Sequence, residues 1–187
     1  MNTSTNRPSR SVYSLGAADG LWTGLAMGIC VMCMILSSST PFLSLIGLAL
    51  FIYVPFMVWR FLRRGWVLGR VPATFSAVWL HGICIFLFGA IIMALIMYIS
   101  LRFLSPGWIE NQMALAVQQL AADPATAEQA RILSRVIDSG QLPSPIYTSV
   151  SSIWLVAFTG SIWSMIFALI LTMSARFRKL RMQNITT

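Results

Sequence analysis

Two ionisable side chains of this sequence could act together inside apolar surroundings. His81 is the one histidine, and Asp19 is the one acidic residue outside positions 110–138. An ionisable group within a membrane segment is a candidate for ligand or proton binding. A neutral imidazole can equally hydrogen-bond a neighbouring helix, and the helix dipole or a loop arginine can stabilise Asp19. We favour these structural roles and keep Asp19 and His81 as a candidate intramembrane polar site.

The cysteines suggest a metal site only superficially. Cys30 and Cys33 stand three residues apart, as do His81 and Cys84, which is a spacing that zinc ligands use. If both helices begin on the same side, Cys30 lies roughly 15–20 Å along its helix and His81 roughly 10 Å along its own, at about 1.5 Å per residue. Ligands must converge on one point, so we predict buried, inert thiols, with no metal and no cofactor.

Catalytic motifs are missing from the sequence. The apolar stretches hold no paired carboxylates, and the chain has no glycine-rich phosphate loop, no nucleophile elbow and no zinc-protease helix. A single histidine and five acidic residues leave little material for general acid–base chemistry. We therefore assign no catalytic residue and expect that the protein is not an enzyme.

The composition indicates a membrane protein. Apolar residues make up 57% of the 187 positions and charged residues 10%, against roughly a quarter charged in soluble domains, which excludes a water-soluble globule and a disordered chain. Four stretches approach or exceed the roughly 20 apolar residues that cross a bilayer, namely 16–36, 42–59, 73–101 and 149–174. The predicted fold class is all-α, a four-helix membrane bundle over residues 16–176. Pro55 predicts a kink or an early end in the second span.

The basic residues indicate the orientation of these spans. Ten of the thirteen fall on one side of a four-span chain, which places both termini in the cytoplasm as a polar tail, 1–15, and a basic tail, 177–187. We expect eight of them, all but Arg7 and Arg10, to form a rim that binds anionic lipid headgroups, with an acidic partner or a lipid-linked phosphate substrate as alternatives. No nucleic-acid-binding module accompanies the net charge of +8, so we expect no nucleic-acid partner. The ten are Arg7, Arg10, Arg60, Arg63, Arg64, Arg70, Arg176, Arg178, Lys179 and Arg181.

The segment 104–148 carries two short amphipathic patterns on the opposite side. One follows Ser105-Pro106, the other follows Asp123-Pro124 and stops at Gly140. We predict an extracytoplasmic helical hairpin whose apolar faces rest on the outer interface or on the bundle. A hairpin that caps the bundle is favoured over a lid that binds a ligand or partner.

Small residues mark two faces for close helix packing. Gly16, Gly20, Gly24 and Gly28 recur every four residues in the first span, and a weaker series follows in the last span. The favoured interpretation packs the first span on the fourth within one chain. Association with a second copy or with a foreign helix is the alternative. The weaker series is Gly160, Ser164 and Ala168.

Several of these features occur together in one known family. They are the glycine-rich first span, Phe75, Gly82 and Gly89, the run over residues 98–110 into a glutamine-rich helix, and Ser144-Pro145 before the last span. The chain resembles the Bacteroidota inner-membrane family known as domain of unknown function 4199. The resemblance implies a four-span protein of the bacterial inner membrane and carries over no catalytic residue.

Together these features favour a non-catalytic accessory or scaffold subunit. It would pack through its glycine-lined first helix with itself or with a larger membrane enzyme of envelope or lipid-linked sugar biosynthesis. The alternative is a small transporter or lipid-handling protein with a path past His81 and Asp19.

Overall fold

The computed structural model describes residues 11–37, 40–72, 74–140 and 142–183, with side chains up to residue 174. Its elements are helical: α1 Val12–Leu36, α2 Phe42–Val67, α3 Phe75–Ile99 with a π-helical turn Ser100–Leu104, α4 Trp108–Ala121, α5 Ala127–Asp138 and α6 Pro145–Gln183. Four of them, α1, α2, α3 with its π turn, and α6, are long and apolar enough to cross a membrane. The predicted all-α, four-span architecture is confirmed.

Helices α1 and α6 begin before the predicted apolar stretches because local caps set their first residues. The hydroxyl of Ser11 accepts from the backbone N–H of Ser14 at 3.3 Å, so α1 begins at Val12. Ser144 accepts in the same way from Tyr147 at 3.3 Å, and α6 begins at Pro145, a residue suited to a first helical turn. At its other end α6 continues to Gln183, past the predicted start of a separate basic tail at residue 177.

Of the two alternatives predicted at Pro55, a kink or an early end, the early end is wrong. The helix runs through Pro55 for another twelve residues to Val67. Unpaired backbone groups are costly in lipid, and membrane helices accommodate an internal proline instead of unwinding at it. As a result, Arg60, Arg63 and Arg64 lie on the last turns of a helix and not in a loop.

Helix α3 is the centre of the bundle. Its two most extensive interfaces are with α1 and α6, while α2 packs mainly on α1. Helices α2 and α6 meet where Trp59 and Phe167 make an edge-to-face contact, with 5.6 Å between ring centroids. Among the four spans, α3 has the largest share of buried residues and α2 the smallest.

The buried core lies toward the end of the bundle that carries Arg60, Arg63, Arg64 and Arg70, here called the arginine end. The connector between α2 and α3 closes this end, because the N–H groups of Arg70 and Val71 both donate to the carbonyl of Gly65, at 3.0 and 3.2 Å. Gly69 has φ +64°, a left-handed conformation that suits glycine. Val71 is thereby inserted into the core. The core residues are Leu15, Val58, Leu62, Val71, Val78, Ile85, Phe86, Ala168 and Leu171.

At the opposite end, α4 and α5 form the predicted hairpin, which packs on itself. Within the described chain, neither helix makes an extensive contact with a membrane span. Of the two expected places for their apolar faces, the bundle is not supported and the outer interface stays a prediction. Apolar side chains of the hairpin, such as Met113 on α4 and Leu133 on α5, are nevertheless half-buried.

The turns of the hairpin also differ in detail from the sequence prediction. Gly107, with φ +88°, precedes α4, so Pro106 is not its first residue. Asp123 closes the turn before α5 by accepting from the N–H of Ala125 at 2.9 Å, and Thr126 donates to the carbonyl of Leu120 at 2.7 Å. The dipeptides therefore mark the turns correctly, but the helices begin two or three residues after the prolines.

Candidate functional site

The structure brings Asp19 and His81 together near the arginine end. Asp19 lies in the second turn of α1 and His81 in the second turn of α3. The distance from His81 Nε2 to Asp19 Oδ2 is 3.2 Å. The histidine side chain is 1% exposed and the aspartate side chain 19% exposed. The pair is thus inside the bundle, with the carboxylate retaining some access to the outside.

Backbone and apolar groups surround the imidazole. A Cβ atom on Gly65 would lie 3.7 Å from His81 Nε2 and would also contact the side chains of Leu15 and Val71. The site therefore sits where α1, α2 and α3 meet beneath the closed connector. Thr23 does not reach the carboxylate, because its hydroxyl donates to the main-chain carbonyl of Asp19 at 2.9 Å.

His81 makes no hydrogen bond to the described residues. Both ring nitrogens are buried without a hydrogen-bond partner there, although Nε2 lies within ion-pair distance of Asp19 Oδ2. A buried polar atom without a partner is costly, and such atoms concentrate at functional positions. Asp19 is also the only acidic residue in α1, α2, α3 and α6. Chemically, the pair can hold a proton or clamp α1 to α3.

The glycine face of α1 docks on α3, and the predicted pairing with the last span is wrong. A Cβ atom would lie 2.5 Å from Cys84 Cβ if placed on Gly16, and 2.9 Å from the Ile85 carbonyl oxygen if placed on Gly20. On Gly24 it would lie 2.6 Å from the Gly89 carbonyl oxygen, and on Gly28 it would overlap Ile96.

The reason for this pairing is Gly89 of α3. A Cβ on Gly89 would itself lie 3.3 Å from the Gly20 carbonyl oxygen, so the two backbones approach with no side chain between them. Gly89 is one of the residues that carry the family resemblance, but the sequence does not identify it as the contact of the glycine face of α1. One glycine on the facing surface of α3 gives no periodic pattern.

The second small-residue face also docks on α3. A Cβ on Gly160 would overlap the Phe86 ring, and a Cβ on Gly82 would lie 2.5 Å from Ser164 Oγ. Ser164 donates to the Gly160 carbonyl at 2.7 Å, and Ala168 is fully buried. Both faces predicted for helix packing are therefore occupied within one chain.

The cysteines are separated by depth. Cys84 contacts α1 at Gly16, whereas the Cys30 thiol donates to the carbonyl of Gly47 on α2 at 3.2 Å, fourteen residues farther along α1. All three cysteines are free and buried. Over the described ranges, no three His, Cys, Asp or Glu side chains come together as a metal site.

The described part of the predicted basic rim is exposed. Arg60, Arg63 and Arg64 extend from the last turns of α2, and Arg70 from the connector. None of them forms an ion pair with a carboxylate in the described residues. The side chains of the other predicted members, Arg176, Arg178, Lys179 and Arg181, lie outside the described set.

A small cavity of about 90 Å³ lies where the hairpin joins the spans. Its walls come from the end of α3, the start of α4 and the connector into α6, including Leu101, Trp108, Glu110, Pro143 and Pro145. Sequence reasoning missed it, because three separate segments build it and none carries a local motif.

Comparisons with known proteins give one match, to a family model. No curated protein and no solved structure matches the chain. One family model matches residues 19–172, from the acidic member of the polar pair through the hairpin to near the end of the described side chains. This membrane-embedded chain therefore belongs to the family described as "Protein of unknown function (DUF4199)".

Proposed function

We propose that the protein is a non-catalytic membrane subunit whose four-helix bundle anchors a partner-binding hairpin. The observation that carries this proposal is that α4 and α5 pack on each other, and among the described residues neither packs extensively on another helix. The sequence hypothesis placed the docking surface on the glycine face of α1. That face is occupied by α3, so the proposal transfers docking to the hairpin.

The outer surface of the hairpin suits recognition of a protein in water. Two large apolar side chains of its helices are exposed, Leu115 at 50% and Ile132 at 53%. The same hairpin exposes charged groups of both signs, and exposed apolar and charged groups together are the composition of a transient interface. These exposed charged residues are Glu110, Asp123, Glu128, Arg131, Arg135 and Asp138.

Photo-crosslinking in native membranes tests this proposal. A photoreactive amino acid is placed at Leu115 or at Ile132, with Leu45 as the matched control because it is 62% exposed on the lipid-facing surface of α2. We expect one discrete protein adduct from both hairpin positions and none from Leu45. Ile132→Arg should abolish the adduct formed at Leu115.

The mass of the adduct shows whether the partner is a second copy or another protein. An adduct of twice the protein mass identifies a second copy as the partner, and a larger one identifies a foreign subunit. That the partner belongs to envelope or lipid-linked sugar biosynthesis stays a prediction, and sequencing the crosslinked protein tests it. Absence of a protein adduct at both hairpin positions contradicts the proposal.

The lack of a hydrogen-bond partner for His81 among the described residues favours a second candidate function, a small transporter with a proton-binding site at Asp19 and His81. Farther along the bundle, α1 and α3 are in backbone contact at Gly24 and Gly89, so this function requires helix movement. Proteoliposomes with an internal pH dye test it. The wild-type protein should dissipate an imposed pH gradient faster than His81→Leu, and equal rates contradict this function.

A further inference from the structure

We propose that the arginine end of α2 is a binding site for one anionic phospholipid. The phosphate contacts Arg60, Arg63 and Arg64, and an acyl chain lies along Phe56 and Tyr53. This inference is independent of the hairpin, since it concerns the opposite end of the bundle and a lipid ligand.

The geometry of α2 places these five side chains on one face. Arg60, Arg63 and Arg64 have the i, i+3, i+4 spacing of neighbours on a helix surface, and all three are exposed. Phe56 lies one turn before Arg60 and is 59% exposed. Tyr53 lies three residues before Phe56 and is 46% exposed. The two rings have centroids 6.3 Å apart. The face therefore changes from aromatic to basic within about one turn, like the boundary between acyl chain and headgroup.

The opposite face of the same turns is fixed in the core. Leu62 is 1% exposed and Val58 is fully buried, while Gly65 faces Val71 and His81. Trp59 holds the helix against Phe167 of α6. The arginines therefore project from a rigid support, which lowers the entropic cost of ordering them around one ligand.

The charge of this face is not neutralised by any carboxylate of the described chain. Among the described residues, no carboxylate pairs with the three arginines, and Asp19, the one acid at this end, lies 3.2 Å from His81. Guanidinium groups bind phosphate oxygens through paired, charge-assisted hydrogen bonds. A phosphate next to exposed aromatic rings on a membrane span is the chemistry of an anionic phospholipid.

Lipid binding to the full-length protein tests the site. The protein is purified in a non-ionic detergent, and bound phosphatidylglycerol and phosphatidylcholine are counted by native mass spectrometry over a titration of each. We expect the wild type to prefer phosphatidylglycerol by about tenfold. The triple variant Arg60→Gln, Arg63→Gln, Arg64→Gln should lose this preference. Arg131→Gln, which removes an exposed charge from the hairpin, should retain it.

Two further arms distinguish the lipid from its parts. Phe56→Ala with Tyr53→Ala should weaken phosphatidylglycerol binding, because the acyl contacts are lost while the arginines remain. Free glycerol phosphate at the same concentration should not displace the lipid, and displacement would overturn the proposal in favour of a soluble phosphate. If the triple variant fails to fold, the three single Arg→Gln variants replace it, and an undiminished preference in all three overturns the proposal.

Discussion

His81 Nε2 lies 3.2 Å from Asp19 Oδ2 and so joins α1 to α3 at the arginine end of the bundle. Because the imidazole is fully buried and the carboxylate only partly exposed, we predict energetic coupling between them. Asp19→Asn and His81→Gln should each destabilise the protein, and a double-mutant cycle should give a coupling of about 1 kcal/mol or more. A fully buried pair would be coupled more strongly, but the exposure of Asp19 screens the interaction.

Thermal unfolding in detergent measures the four proteins of this cycle. The Thr23→Val variant is the control, because the hydroxyl of Thr23 bonds the main chain of Asp19 and not its carboxylate. Strictly additive effects of the two substitutions would show that the short distance carries no stabilising interaction.

The close approach of α1 and α3 predicts an unusual cost for the smallest substitution of a glycine. A Cβ on Gly24 would lie 2.6 Å from the Gly89 carbonyl oxygen, which is main chain and cannot rotate away. Gly24→Ala should destabilise the protein by about 1–3 kcal/mol, the usual effect of overpacking. This exceeds the gain in helix propensity, which is at most about 1 kcal/mol.

Gly47→Ala is the matched control for Gly24→Ala. The nearest atom to its new Cβ would be the Met34 sulfur at 3.1 Å, which belongs to a flexible side chain that can shift. The two variants are compared by thermal unfolding and by size-exclusion chromatography. A change of oligomeric state in Gly24→Ala without loss of stability would indicate that the glycine face serves another chain.

The contact between α3 and α6 allows a test by rescue. A Cβ on Gly82 would lie 2.5 Å from Ser164 Oγ and 2.6 Å from Ser164 Cβ, so Gly82→Ala should destabilise the bundle. Ser164→Gly removes the atoms that collide, and the double variant should regain most of the lost stability. Failure of the second substitution to improve Gly82→Ala in a thermal melt would contradict the register of these helices.

How far the sequence predicts this fold depends on whether a feature is local. The number of spans, the hairpin and the stop at Gly140 follow from hydropathy and turn residues, and the structure contains all of them. The prediction of which helix packs on the glycine face of α1 is wrong, because regularly spaced glycines define a face but not the helix that packs against it. Gly89 decides that choice, and its role exists only once α3 lies against α1.

The candidate polar site shows the same limit. The residue types of Asp19 and His81 identified them as candidates, but their distance depends on the pairing of α1 with α3, which the sequence did not give. Gly65, near the end of α2, and Val71, in the connector, complete their surroundings, and the connector resembles an ordinary turn with glycine, proline and nearby arginines. No feature of this local sequence predicts that Val71 belongs to the core.

The connector therefore supplies the last prediction. Val71 is 3% exposed and packs in the core cluster, although it lies between helices, where substitutions are usually tolerated. Val71→Ala should destabilise the protein by about 1–2 kcal/mol, because it removes buried methyl groups and leaves a cavity. Leu68→Ala is the control in the same connector, since Leu68 is 53% exposed and should change stability little. Thermal unfolding in detergent compares them, and equal shifts would mean that the connector does not close the arginine end over His81.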